Sequence, residues 1–378
     1  MKKWLRDMEA KVREKAERLL RFFIRAEKTA PSGIDAKNIK TILVVRQHNE
    51  LGDMLITSPI FRALKENFPG CRLLCVARKT NLEIARANPF IDEVLEYNSR
   101  KALIMPWTFF AMLWHLRKQK PDVAIVPCTV SFSISSAFIA FLSGARIKIG
   151  GGTEDIFYKN GEMFFNIYLN VKTRGLHQVD VNLEYLKPLG ISEVSDRSLI
   201  AAIKKKDEEE AAAGLKEKGV LPGEFLLGIH PGAGKFENRW GASNFASLVS
   251  LLTEKYKLKL LVFYGKAESE LKDELLKGLK QEAILLDPLP LMKAAAYMKQ
   301  CDLFLCNDTG VLHVAAAVGT RTFAVFGKAS PAFWNPPGPG HYSVWNSAGE
   351  IKKISVQEAF NVLEKSGVIP GEYKKNLG

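Results

Sequence analysis

The feature that most limits what this chain can fold into is an alternation that runs twice along it. Short apolar runs rich in Val, Ile and Leu are separated by longer segments with apolar residues at helical spacing. In the first stretch the strand-like runs are TILVV (41–45), RLLCVA (72–77), EVLEY (93–97), DVAIVP (122–127) and RIKIGG (146–151). After a polar interruption come FLLGIHPGA (225–233), KLLVFYG (259–265), AILLD (283–287), DLFLCND (302–308) and RTFAVFG (321–327). Runs that lack polar alternation suit strands buried on both faces, and parallel strands need a crossover helix between them. The pattern therefore predicts an α/β protein with two doubly wound, Rossmann-like domains facing a central cleft.

In the second stretch helices are predicted over 244–256, 268–279, 291–299 and 311–318. Ser355 and Glu358 give a capping-box signal for a last helix through Glu364. The segment around 158–170 is less regular. Between 192 and 223 the composition turns polar, with KKKDEEEAAAGLKEKG (204–219) as an exposed helix, so a boundary belongs there. A chain of 378 residues also exceeds what one ordinary core accommodates. The expected division is 1–39, 40–205, 206–350 and a C-terminal helix and tail over 351–378.

The formal charge is +13, of which residues 1–40 contribute +6. Such a balance suits nucleic acid, an anionic membrane or a phosphorylated substrate, and alone selects none. Residues 1–28 have helix-forming composition without Gly or Pro, and Trp4, Met8, Val12, Leu19 and Phe23 fall near one face. A basic amphipathic helix on an anionic bilayer is one reading; a helix packed on the protein or a partner chain is the other. Both stay open. Residues 29–38 read as a linker. The basic residues are not interleaved with exposed aromatics on a recognisable nucleic-acid module, so nucleic acid is not an expected partner. No apolar run reaches membrane-spanning length, and the amino terminus lacks a signal peptide's apolar core. Cys71, Cys75, Cys128, Cys301 and Cys306 show no metal spacing and read as reduced core residues. A cytoplasmic protein is expected, peripheral on the inner membrane face if the first helix lies on the bilayer.

In doubly wound sheets ligands bind beyond the carboxyl ends of the strands. Beyond the first strand stand Arg46, His48, Asn49, Gly52 and Asp53. In the second half the strand ends carry HPGAGKFENRW (230–240), YGKAESE (264–270), NDTGVLH (307–313) and FGKASPAFW (326–334). Glycines, cations and hydroxyls at three strand ends suit an anionic nucleotide. Each signal also has a plain structural reading. Gly52 permits a tight turn, and Asp53 suits the first turn of a helix, where the dipole favours a carboxylate. On spacing alone that reading of Asp53 is preferred. Lys235 and Arg239 read as solvated charges, Asp308, Thr309 and Gly310 as a helix cap, and His313 as a core histidine.

Taken together, LGDMLITSPIFRALKENFPG and ANPFIDEVLEY in the first half, with GIHPGAGKFENRWGASNFASLVSLL and CDLFLCNDTGVLHVAAAVGTRTFAVFG in the second, resemble glycosyltransferase family 9. That family contains the lipopolysaccharide heptosyltransferases. The resemblance runs from about Thr41 to the final helix and leaves out residues 1–40. It implies a GT-B fold, with residues 40–205 binding the acceptor and 206–350 the nucleotide sugar. It further implies inverting transfer from a nucleotide diphosphate sugar, typically ADP-heptose, to a phosphorylated lipopolysaccharide core. By position Asp53 matches the family's proposed catalytic base and Lys235 its phosphate-binding lysine. Asp308, Thr309, Gly310 and His313 match its D-T-G-x-x-H donor motif. Glu268 falls near the acidic residue expected on the nucleoside, by a looser alignment.

On this reading Gly52, with Asn49 and Arg46, forms an acceptor-side loop, and Gly52 lets the acceptor approach closely. Arg239 and Lys328 are further phosphate contacts to weigh. No Asp-x-Asp motif is present, so neither metal nor cofactor is expected. A nicotinamide enzyme would need G-x-G-x-x-G after the first strand, which HNELGDM lacks. A sugar-nucleotide epimerase of the same architecture, or a family member with a different acceptor, are the alternatives.

Overall fold

The computed structural model describes residues 26–31, 34–47, 50–156 and 161–375. The helix expected over residues 1–28 falls almost wholly outside them, and so do His48 and Asn49. The chain forms two compact units. The first comprises the described part of Met1–Asn49 with Ile60–Arg86 and Phe90–Ser195, and the second Glu50–Pro59, Ala87–Pro89 and Asp196 onward.

In the first unit β1 (Thr41–Arg46), β2 (Arg72–Arg78), β3 (Glu93–Tyr97), β4 (Val123–Val126), β5 (Ile147–Thr153) and β6 (Ile167–Val171) form one sheet. Its order is β3-β2-β1-β4-β5-β6, every pair parallel. β1 is buried along nearly its whole length, which is why it reads as unbroken β-branched sequence. Leu43, Val45, Leu74, Val76 and Ala124 on one sheet face pack with Leu113 and Leu116 of helix Pro106–Lys118 and Ile139 of helix Ile134–Leu142.

The second unit repeats the topology with β7 (Phe225–His230), β8 (Leu258–Val262), β9 (Ile284–Leu285), β10 (Leu303–Asn307), β11 (Thr322–Phe326) and β12 (His341–Trp345). The order is β12-β11-β10-β7-β8-β9, again all parallel. Phe225, Leu227 and Ile229 of β7 pack with Phe245, Leu248 and Leu252 of helix Ala242–Lys255. The last helix, Val356–Ser366, starts as predicted: Ser355 Oγ accepts from the Glu358 N–H at 3.1 Å. It ends on Gly367, whose φ of 63° is the left-handed geometry a helix terminus needs.

All five cysteines are buried and unpaired. Among the described residues no helix is long and apolar enough to cross a membrane. In both sheets the strand order reverses beside the first strand of the unit, between β1 and β4 and between β7 and β10. Such a reversal at the carboxyl ends is the place where sheets of this kind bind ligands.

One segment departs from what its sequence position suggests. Helix Leu51–Ile56, which follows β1, belongs with the second unit. Short tethers hold the neighbouring pieces there. The Ile200 N–H donates to Ser58 Oγ at 3.0 Å, and the Ala202 N–H donates to the Ala87 carbonyl at 2.7 Å.

Candidate functional site

At the reversal point of the second sheet, β7 ends on His230 and β10 on Asn307. The Asn307 side chain is fully buried, and its amide joins the two strand ends. Its Nδ2 donates to the carbonyls of Pro231 (2.8 Å) and Gly232 (3.2 Å), while its Oδ1 accepts from the Trp240 N–H at 3.0 Å. This one side chain therefore fixes both ends of the 231–240 loop. Sequence reasoning passed over it, although its place directly before Asp308-Thr309-Gly310 at a strand end was a signal.

Against that loop lies Glu268, at the amino-terminal cap of helix Ser269–Gly278. Its Oε2 sits 3.2 Å from His230 Nε2 and accepts from the Gly265 N–H at 2.7 Å. The hydrogen bond from His230 is the largest influence on the carboxyl, outweighing the opposing effect of burial, and holds its pKa down at about 2. The carboxylate lies over Gly232: a methyl group there would stand 2.6 Å from Glu268 Cδ and 2.9 Å from His230 Cε1. Only glycine leaves room for the pair.

These groups form one side of a cavity of about 730 Å³. Its polar lining residues include His230, Arg239, Glu268 and Thr309, with Lys266 and Asp287. Its apolar lining residues include Phe263, Leu286, Leu289, Leu291, Met298 and Val311. Arg239 is held by its Nε, which donates to the Ala233 carbonyl at 2.9 Å. A space of this size, lined by both apolar and polar side chains, suits a small amphipathic ligand such as a nucleotide. Thr309 is the N-cap of helix Gly310–Ala317, and its side chain caps nothing.

Gly310 and His313 do not line this cavity; they face helix Leu51–Ile56. A methyl group on Gly310 would stand 3.2 Å from Leu51 Cβ, and one on Gly52 would stand 2.8 Å from His313 Cδ2. The two glycines let the helices pack closely, with the buried His313 ring against Gly52. The space in front of Gly52, expected to admit an acceptor, is thus taken by His313, and Gly52 lies within a helix and not in a loop.

Asp53 is the third residue of that helix and is buried. Its Oδ2 accepts from the Glu50 N–H at 3.1 Å, and the Glu50 side chain accepts from the Asp53 N–H, a reciprocal capping box. Thr57 Oγ1 donates to the Asp53 carbonyl at 2.8 Å. The structural reading of Asp53 is therefore realised. The same bonds fix the carboxylate in position.

Asp308 is half-buried, and burial pushes its carboxyl up to about 6 against the pull of Lys235. Lys235 itself is exposed, as is Lys328, and neither lines the cavity. Arg46 lies elsewhere, buried at the reversal point of the first sheet. It donates to the Pro127 carbonyl (3.1 Å) and to Thr129 Oγ1 (2.6 Å), and so ties the ends of β1 and β4. Gln47 beside it donates to the hydroxyls of Ser133, Ser135 and Ser136, an arrangement the sequence did not suggest.

Residues 110–363 match the sequence model of glycosyltransferase family 9 (heptosyltransferase). The chain is similar to lipopolysaccharide heptosyltransferase 3 of Escherichia coli, 24% identical over 317 residues that cover 81% of this chain and 89% of the relative. It is also similar to the crystal structure of the glycosyltransferase family 9 protein from Veillonella parvula. There the TM-score is 0.77 at 20% identity, over 90% of this chain and 99% of the other. The E. coli heptosyltransferase WaaC with ADP gives a TM-score of 0.68 at 17% identity, over 86% of this chain and 99% of the other.

Proposed function

The chain belongs to glycosyltransferase family 9 and is a glycosyltransferase of GT-B fold; from that premise we propose the reaction and the residues that carry it. It transfers a heptose, or a related sugar, from an ADP-sugar to a lipopolysaccharide core acceptor, with inversion and without a metal. The observation that carries the donor half is the cavity of the second unit. On this reading its apolar residues take the adenine and Glu268 accepts from a ribose hydroxyl; the presence of both on the cavity wall supports it. The diphosphate then reaches Arg239 and the amino-terminal end of helix Gly310–Ala317, whose free N–H groups and dipole favour an anion. Lys235, exposed on the same loop, adds a point charge. The ADP held by a structural relative, and the heptosyltransferase names of the sequence relatives, agree with this choice.

The chemical step needs one carboxylate. The acceptor hydroxyl oxygen forms a bond to the anomeric carbon from the face opposite the diphosphate. The bond to the diphosphate oxygen breaks with its electron pair, and the hydroxyl proton passes to Asp53. A carboxylate is a weak base for a resting hydroxyl, but it suffices as the hydroxyl acidifies during bond formation. The packing of helix Leu51–Ile56 on helix Gly310–Ala317 supports this role, because it ties Asp53 to the element proposed to hold the leaving group. Positioning and charge stabilisation then supply most of the acceleration.

Calorimetric titration of ADP, UDP and GDP into the wild type, Lys235→Ala and Arg239→Ala tests the donor assignment. ADP is expected to bind best, each substitution to weaken it roughly tenfold or more, and EDTA to change nothing. Equal affinity for the three nucleotides, or indifference to both substitutions, would sink it.

A further inference from the structure

Helix Pro106–Lys118 of the first unit is apolar on two sides. Its inner side is accounted for: Met112, Leu113 and Leu116 are buried, and Phe109 stacks on Phe138 with ring centroids 6.5 Å apart. Its outer side is not. Trp107, Phe110 and Trp114, spaced three and four apart and so on one face, are 62%, 63% and 61% exposed. Ile104 (75%) and Met105 (40%) extend the patch just before the helix. Among the described residues, five of the eight exposed large apolar side chains fall in these eleven positions. Scattered exposed apolar residues are ordinary, but a contiguous aromatic patch marks a surface that something covers.

The charges say what. Residues 99–120 contain five Lys and Arg and no Asp or Glu. Lys101, Lys118 and Lys120 are exposed, and Lys118 Nζ stands 3.6 Å from the centroid of the Trp114 ring. A protein partner would be expected to bring acidic side chains to such cations and bury them. A bilayer interface needs no such fit. It takes Trp at the headgroup level, Phe, Ile and Met below it, and cations against anionic lipid. We propose that the face formed by Ile104, Met105, Trp107, Phe110 and Trp114, with Lys118 against it, seats the first unit on an anionic membrane surface. This surface is independent of the identity of the sugar donor.

The test is sedimentation of the full chain with vesicles of phosphatidylglycerol and phosphatidylcholine, and with phosphatidylcholine alone. It compares the wild type with Trp107→Ser/Phe110→Ser/Trp114→Ser. The side chains are exposed, so the variant is expected to fold and to keep the wild type's circular dichroism. Binding to the anionic vesicles is expected to fall by about tenfold or more in the variant, with weak binding of both proteins to the neutral ones. A second variant, Trp107→Phe/Trp114→Phe, is expected to bind like the wild type while losing part of the quenching caused by brominated lipid. Unchanged vesicle binding by the serine variant would overturn the proposal. So would a wild type that ignores anionic vesicles, or a wild-type dimer that becomes monomeric in the serine variant with vesicle binding unaltered.

Discussion

Glu268 and Asp308 are two carboxylates of the second unit pushed in opposite directions, and the difference is a matter of partners. Glu268 has the His230 ring and a backbone N–H; Asp308 has burial opposed by a single exposed lysine. For Asp308 the folded protein holds the proton more tightly than the unfolded chain does. Below about pH 4 both forms are protonated and nothing is lost. As pH rises through about 6 the folded state must ionise a carboxyl it disfavours, and stability drops. Asp308→Asn is therefore expected to raise the melting temperature at pH 7.5, the gain fading to nothing at pH 4. A melting-temperature gain of the same size at both pH values would contradict this. Glu268, Asp308 and Thr309 were legible in the sequence as polar groups beyond strand ends, but which of them line the cavity was not: Glu268 and Thr309 do, and Asp308 does not. Asn307 was not legible either, since a buried amide bridging two loops leaves no pattern along the chain.

Elements were legible where they are buried on both sides. β1 and β10 are apolar runs and were expected within a residue, β7 was expected three residues longer, and β6 and β12 were not anticipated. Both are edge strands, partly exposed and mixed in composition, so the alternation that marks a central strand is diluted in them. The grouping of helix Leu51–Ile56 with the second unit was equally hidden. It depends on two glycines, Gly52 and Gly310, that lie far apart in sequence and matter only because the helices touch. Gly52→Val is expected to destabilise the protein in urea by about 1–3 kcal/mol, the usual cost of overpacking. Gly70→Ala, with nothing within 4 Å of the added methyl, is the control and should be near neutral. Equal effects of the two would mean that the helix contact is looser than the distances indicate.

At the scale of the whole molecule, two sheets of identical strand order carry unequal chemistry. The first spends its reversal point on internal ties, with Arg46 and Gln47 bonded to the loops beyond β4 and before helix Ile134–Leu142. The second leaves a cavity at its own reversal point and holds Asp53 within the same compact unit. The central claim is that these two features are donor site and proton acceptor of one transfer reaction. The measurement that reaches it most directly pairs ADP affinity with turnover for Asp53→Asn. Affinity within about threefold of the wild type, with turnover lowered by about 10²–10⁴, is the predicted result. Turnover within a few-fold of the wild type would show that Asp53 only caps its helix, and the proton would need another acceptor.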